Sequence, residues 1–147
     1  MNEMKLSFLS KAENEPFART ALIAFLMPLN PNVEEIMELK TMIAEALTNA
    51  MIHGYEGRED GIVEVSVRYD AQAMVEIIVK DCGCGIADVA LAMQPLYTSK
   101  AYLERSGMGM TIMSTFADEF HVESSAGNGC VVHLRKQLHE QCEHALQ

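Results

Sequence analysis

The stretch EALTNAMIHG, residues 45–54, combines strong helix formers with three polar side chains at regular spacing. Glu45 and Asn49 are four residues apart, and His53 follows four residues later. Side chains four residues apart lie on the same face of an α-helix. We therefore predict a helix over about residues 33–53 whose flank carries a carboxylate and an amide, with His53 as a structural residue at its end.

The composition is that of one globular domain, which we predict to span residues 1–147. Hydrophobic residues make up 49% of the chain and charged residues 22%, ordinary values for a packed domain. The net charge of −10 argues against nonspecific nucleic-acid binding, because such binding needs Lys and Arg to neutralise phosphates. No apolar run reaches the roughly 18 residues of a membrane-spanning helix, and the N-terminus lacks a signal peptide's apolar core. We expect a cytoplasmic protein without membrane or direct nucleic-acid contact.

Apolar periodicity and turn residues predict helices first, then strands separated by glycine-rich turns. The predicted strands cover residues 4–9, 62–69, 74–80, 120–125 and 130–135, and the predicted helices begin at about Asn14, Val33 and Gly109. The first helix is expected to be capped by Asn14 and to bury a stripe that begins with Phe17. Residues 86–107 are expected to form a loop with a short helix, and the tail from residue 137 to fray. This order indicates an α/β two-layer sandwich, a mostly antiparallel mixed sheet with helices on one face.

Two glycine-rich motifs accompany the polar helix flank. Asp81-Cys-Gly-Cys-Gly follows the strand VEIIVKD, and glycines directly after a strand allow a sharp turn and close approach of backbone to a ligand. Gly107-Met-Gly-Met-Thr leads into the last helix. Glycine-rich backbone at a helix N-terminus offers free N–H groups and a positive dipole end to phosphate. Each motif alone is weak evidence, since many turns look like it.

The four cysteines do not predict a metal site. Cys82 and Cys84 form a CxC pair rather than CxxC, and Cys130 and Cys142 lie far along the chain. This spacing fits no zinc-finger template. Thiols kept reduced are the favoured interpretation.

Taken in order, the three motifs resemble those of one ATPase family. That family is shared by DNA gyrase B subunits, Hsp90-type chaperones, histidine kinases and the mismatch-repair MutL proteins. The resemblance covers about residues 35–135 and implies the Bergerat-type ATP-binding fold. A P-loop protein is excluded, because no GxxxxGK[ST] motif is present.

The resemblance implies that ATP and Mg²⁺ bind at these motifs. Asn49 would be the Mg²⁺ ligand, Glu45 the general base, and Asp81 the partner of the adenine amino group. The implied nucleotide-binding positions are Asn49, Asp81, Gly83, Gly85, Ser106, Gly107, Met108, Gly109 and Thr111. Residues 94–106 would form a mobile lid over the phosphates.

The flanking stretches narrow the resemblance to a stand-alone kinase. NEMKLSF, ENEPFART, EALTNAMIHGY and QPLYTSKAYLERSGMGMTIM are similar to the sporulation anti-sigma factors. This resemblance implies that the protein is a homodimer and binds a sporulation sigma factor when ATP is bound. It also implies that the protein phosphorylates a serine of an anti-anti-sigma factor. Two alternatives stay open: a stress-response anti-sigma kinase of the same fold, and an ATP-dependent sequestering module without kinase activity. Glu45 argues against the second, because sequestration gives a base no task.

Three further positions carry partner or catalytic roles through this resemblance. Arg19 matches an arginine that contacts the sigma factor, in the segment of residues 4–27 assigned to dimer and sigma-factor contacts. Arg105 matches a lid arginine near the γ-phosphate, and Glu104 would contact the protein substrate. The planar guanidinium suits both arginine roles, since it pairs with carboxylate or phosphate.

The cysteines mark two departures from the family pattern. Cys82 and Cys84 stand where acidic or aliphatic residues are more usual, and Cys130 replaces what is usually a threonine. The D-x-G-x-G frame is nevertheless kept, so the expectation of ATP binding stands.

Overall fold

A computed structural model describes residues 1–85 and 109–139, and these form one antiparallel sheet with three helices. The strands are β1 (Asn2–Leu9), β2 (Ile62–Tyr69), β3 (Met74–Asp81), β4 (Glu119–Ser124) and β5 (Cys130–Gln137), and the helices are α1 (Asn14–Leu26), α2 (Val33–Thr48) and α3 (Gly109–Phe116). The strand order is β1-β2-β3-β5-β4. Every pairing among these strands is antiparallel.

One face of the sheet is apolar and covered by the helices. Val65 of β2 pairs with Val79 of β3, which pairs with Val132 of β5, and all three side chains are buried. They belong to one core cluster with Leu22 of α1 and Ile43 of α2. The alternation of buried and exposed residues along β2 and β3 is the pattern of a sheet with one packed face. The predicted two-layer α/β sandwich is therefore confirmed.

The first helix lies where it was predicted, but two details of the prediction were wrong. Phe17 was expected to face the core and is instead 65% exposed, whereas its neighbour Ala18 is fully buried. The buried face of α1 therefore includes Ala18 and not Phe17, so it is rotated about the helix axis relative to the predicted face. Asn14 does not cap the helix; its side-chain amide donates a hydrogen bond to the Leu9 carbonyl (2.9 Å). That bond ties the helix start to the end of β1.

The second helix begins with a capping box and ends in a wider turn. Asn32 accepts from the Glu35 N–H (2.8 Å), and Glu35 accepts from the Asn32 N–H (3.0 Å), which satisfies two N–H groups at the helix start. Beyond Thr48, residues Asn49–Gly54 form a π-helical turn. The prediction extended the α-helix to residue 53, and the structure replaces its last turn with this wider one. Such turns are frequent at functional sites.

Fraying was expected from residue 137, but the structure places Gln137 in β5 and holds the next two residues in place. Leu138 is buried, and the His139 N–H donates to Glu35 Oε2 (2.7 Å). Burial opposes ionisation of Glu35, yet the donors from Asn32 and His139 lower its pKa below the usual value. The end of the sheet is thereby fastened to the start of α2.

Several expectations fall outside the described part of the chain. They are the loop with a short helix at 86–107, the lid at 94–106 and the tail beyond residue 139. Within residues 1–85 and 109–139, no helix is long and apolar enough to cross a membrane.

Candidate functional site

The site is organised around Asp81, a buried carboxylate at the end of β3. Asp81 is only 4% exposed and pairs with Cys130 of β5. Burial raises its pKa from 3.8 to about 6, although N–H donors from Gly83 and Cys130 act in the opposite direction. The Gly83 donor lies 2.9 Å from Asp81 Oδ1. Burying a carboxylate costs free energy, so a buried carboxylate with a raised pKa is a candidate for ligand binding.

Two glycines allow the backbone to close around Asp81. A Cβ on Gly54 would lie 2.7 Å from the Asp81 carboxyl carbon, and a Cβ on Gly83 would lie 1.8 Å from the Gly54 carbonyl oxygen. The Cys84 N–H donates to the same carbonyl at 2.8 Å. No side chain beyond hydrogen fits at either position, so the end of the π-helical turn and the Asp81 turn are in direct backbone contact.

A second glycine turn supports the Asp81 turn from the β4–β5 hairpin. Gly85, at φ +74°, would place a Cβ 2.0 Å from the Ser125 carbonyl oxygen, and Gly129, at φ +76°, would place one 2.3 Å from the Asp81 carbonyl oxygen. The Gly127 N–H donates to the Cys84 carbonyl (2.5 Å). The hairpin turn and the Asp81 turn therefore form one unit.

Glu45 and the start of α3 meet at the other end of the site. The Asn49 backbone N–H bonds to the Glu45 carbonyl, which confirms that the two residues are one helical turn apart. A Cβ on Gly109 would lie 2.8 Å from Glu45 Oε1. The carboxylate thus lies against the first residue of α3, where helix N–H groups point and negative charge is favoured. Thr111 is half-buried in the first turn of that helix.

The π-helical turn connects the two ends of the site. It begins at Asn49, beside the Glu45 flank, and finishes at Gly54, against Asp81. This turn therefore links the predicted residues Glu45, Asn49 and Gly109 at one end to Asp81, Gly83 and Gly85 at the other, and Thr111 lies in the first turn of α3. The remaining predicted positions Glu104, Arg105, Ser106, Gly107 and Met108 lie outside the described residues.

Arg19 is on α1, away from these turns in the chain. Its guanidinium Nε lies 3.2 Å from Glu15 Oε2, one helical turn earlier, and its side chain is 37% exposed. The structure therefore shows a half-exposed, paired arginine and does not test its predicted contact with a partner.

Sequence reasoning missed two kinds of site residue. Gly54, which follows the predicted helix, and Gly129, which lies between the last two predicted strands, were not among the predicted site residues. Both are needed because backbone from another element passes within contact distance. The available signal was the glycine directly after His53, and the two glycines of the AGNG turn.

The described cysteines surround Asp81, and none of them forms a disulfide. Cys82 is exposed, while the Cys84 thiol contacts the His53 carbonyl at 2.9 Å. Burial, with a contribution from the negative charge of Asp81, raises the pKa of the Cys130 thiol to about 11. Cys130 is therefore an inert, protonated thiol at neutral pH.

The ligand-free protein should lose stability as the pH rises past the pKa of Asp81. The folded-state pKa is raised from 3.8 to about 6, so the fold favours the protonated form. This contribution is fully present below pH 3.8 and is lost as the pH rises through about 6, a loss of about 3 kcal/mol. Urea unfolding from about pH 4 to pH 7 measures it. Asp81→Asn should lack this part of the pH dependence, and parallel curves for the two proteins would contradict the assignment.

Sequence comparison assigns the class. The family model of the histidine kinase-like ATPase domain matches residues 8–136, so the chain belongs to this ATPase class and has its fold. Anti-sigma F factors from Clostridium novyi, Bacillus cereus (strain G9842) and Priestia megaterium are 53%, 50% and 47% identical to the chain over 137 residues. Each alignment covers 93% of this chain, and 95%, 93% and 93% of the respective relative. The chain belongs to the family of anti-sigma F factors.

Solved structures support the same fold at low sequence identity. The RsbU and RsbW domains of a Mycobacterium tuberculosis protein match with a TM-score of 0.66 at 15% identity, over 94% of this chain and 33% of that one. A blue-light activated histidine kinase domain from Erythrobacter litoralis matches with a TM-score of 0.55 at 15% identity, over 84% of this chain and 61% of that one. The chain spans about a third of the first of these solved proteins.

Proposed function

We propose that this protein is an ATP-dependent anti-sigma factor that also acts as a serine-protein kinase. The observation that carries the proposal is that one π-helical turn connects two chemically different parts of the site. One end holds a buried carboxylate between glycine turns, and the other holds Glu45 and Asn49 beside the start of α3. Membership of the anti-sigma F factors supplies the biological setting.

The Asp81 end has the chemistry to bind adenine. The buried carboxylate of Asp81 would accept a hydrogen bond from the exocyclic amino group of the base. Gly83 and Gly85 would let the chain after Asp81 pass beside the base, because a side chain at either position would clash with the Gly54 or Ser125 carbonyl. At neutral pH, above its pKa of about 6, Asp81 is mainly ionised and acts as an acceptor.

The Glu45 end has the chemistry to bind phosphates and Mg²⁺. The N–H groups at the start of α3, at Gly109 and Thr111, would hold phosphate oxygens, together with Ser106, Gly107 and Met108. Asn49 would offer its side-chain oxygen to Mg²⁺. This ion prefers oxygen ligands and is commonly bound by protein side chains together with the phosphates of a nucleotide. Bound Mg²⁺ supplies positive charge that neutralises the transferring phosphoryl group.

Glu45 is the proposed general base for phosphoryl transfer. Its carboxylate would accept the proton of the substrate serine hydroxyl while the serine oxygen forms a bond to the γ-phosphorus and the bond to the ADP oxygen breaks. Arg105 would pair with the phosphate oxygens and stabilise their charge. The result is a phosphoserine on the partner and ADP.

The proposed partners are a sporulation sigma factor and an anti-anti-sigma factor that provides the serine. Arg19 would contact the sigma factor and Glu104 the protein substrate, and the protein would work as a homodimer. The relatives' names support the sigma factor. Two alternatives differ from this proposal. A stress-response kinase of the same fold would bind a different sigma factor, and a sequestering module would bind a sigma factor without transferring a phosphoryl group.

A pull-down in ATP and in ADP tests the proposed function. We expect the sigma factor, identified by mass spectrometry, to be recovered with ATP and not with ADP. A stress-response sigma factor would favour the first alternative. Recovery of the same proteins with either nucleotide would contradict an ATP-dependent switch.

Arg19→Ala should weaken sigma-factor binding without slowing phosphoryl transfer. Loss of one charged hydrogen bond at an interface should reduce affinity roughly ten- to a hundredfold. Arg68→Ala is a matched control, because Arg68 is also half-exposed and paired with a glutamate. Binding is measured by calorimetry and transfer with labelled ATP. Unchanged binding, or equal loss of both activities, would remove Arg19 from the sigma-factor surface.

A further inference from the structure

Tyr55 joins three segments that meet behind Asp81. It follows the π-helical turn directly and is only 4% exposed. Its hydroxyl donates to the Ile62 carbonyl at the start of β2 (2.6 Å) and accepts from the Cys82 N–H (2.8 Å). Its own N–H donates to the Ala50 carbonyl (3.1 Å). One buried hydroxyl therefore connects β2 to the peptide unit between Asp81 and Cys82.

The ring of Tyr55 is held independently of its hydroxyl. A Cβ on Gly61 would lie 2.4 Å from ring atom Cδ1, so the polar loop before β2 passes directly against the ring. Burial is the main cause of a raised pKa for the phenol, which keeps the hydroxyl protonated and able to donate. Removing the oxygen alone would therefore leave the ring packed and delete both hydrogen bonds.

We propose that Tyr55 is a positioning residue for nucleobase recognition. By holding the Cys82 N–H, the hydroxyl fixes the Asp81–Cys82 peptide, and through it the direction in which the Asp81 carboxylate presents its acceptor. This proposal rests on the proposed function, since it assigns Asp81 to the adenine amino group. It distinguishes Tyr55 from a residue that only stabilises the fold, because the effect must depend on that amino group.

Tyr55→Phe should weaken ATP binding selectively. We expect the affinity for ATP to fall about two- to twelvefold, the usual effect of one lost hydrogen bond. Purine riboside triphosphate lacks the 6-amino group, so its affinity should be the same for both proteins. In transfer assays the KM for ATP should rise while kcat is unchanged. Calorimetry with both nucleotides measures the selectivity.

Tyr69→Phe is the matched control. The Tyr69 hydroxyl accepts a hydrogen bond from the Asn2 side chain (3.1 Å) at the exposed sheet edge. Its loss should leave both nucleotide affinities unchanged. In an Asp81→Asn background, Tyr55→Phe should cause no further loss of ATP affinity, because the acceptor that it positions is altered.

The outcomes separate this proposal from the proposed function. Failure of the unmodified protein to bind ATP would overturn the function itself. ATP binding with equal losses for both nucleotides, or with no loss in Tyr55→Phe, would overturn only the role of Tyr55. If Tyr55→Phe does not fold, 4-aminophenylalanine at position 55 keeps a donor for the Ile62 carbonyl but is a poor acceptor for the Cys82 N–H. It should lose the same selectivity, and retained selectivity would contradict the proposal.

Discussion

Glu45→Ala is expected to slow phosphoryl transfer to the anti-anti-sigma protein by about 10²–10⁴-fold, the usual contribution of a positioned base. The lower end is favoured, because positioning and Mg²⁺ carry much of the catalysis in phosphoryl transfer. The Glu45 carboxylate lies against Gly109 at the start of α3, where the phosphates are proposed to bind, and at the opposite end of the π-helical turn from Asp81. ATP binding and sigma-factor binding should therefore persist.

Single-turnover transfer from labelled ATP measures this effect, with ATP affinity followed by fluorescence. Glu34→Ala is the control, since Glu34 is an exposed glutamate in the first turn of the same helix. Wild-type transfer in Glu45→Ala would make Glu45 a structural residue. Loss of ATP binding would make it a ligand contact and leave the general-base role without support.

Asp81→Asn is expected to weaken ATP binding about ten- to a hundredfold. The substitution removes a charged acceptor facing the adenine amine, and a hydrogen bond to a charged group contributes about 1.5–3 kcal/mol. The same change should stabilise the ligand-free protein at neutral pH, because the buried charge is removed. Lower affinity with higher stability is an outcome that general damage to the fold would not produce.

Titration calorimetry and urea unfolding of the same sample test both halves of this prediction. Asp60→Asn is the control, because Asp60 lies in the exposed loop before β2. It should change neither quantity. Unchanged ATP affinity in Asp81→Asn would remove Asp81 from the nucleotide site.

Most of the fold could be predicted from local patterns. Alternating apolar residues in β2 and β3, with a turn between them, were sufficient to place the hairpin, since one face of the sheet is buried. The two errors in α1 concern features that contacts with other elements determine. The Asn14 side chain could cap its own helix or bond to the preceding strand, and in the structure it donates to the Leu9 carbonyl. The side of the helix on which Phe17 lies depends on how α1 packs, which its own sequence does not specify.

The motifs of the candidate site could be predicted from the sequence, but the contacts between them could not. Spacing alone placed Glu45 and Asn49 on one helix flank, and the glycine motifs marked Asp81 and Gly109 as turn positions. The requirement for Gly54 comes from an element that returns 27 residues or more later in the chain, and a π-helical turn has no reliable sequence signal. Contacts of this kind are absent from any local pattern.

We propose above all that this site transfers a phosphoryl group from ATP to a serine of the anti-anti-sigma protein. The most direct measurement is mass spectrometry of that protein after incubation with the unmodified kinase, Mg²⁺ and ATP, with the modified residue located by fragmentation. We expect one phosphoryl group on a serine, formed with ATP and absent with ADP. No incorporation, or incorporation on a histidine, would contradict it.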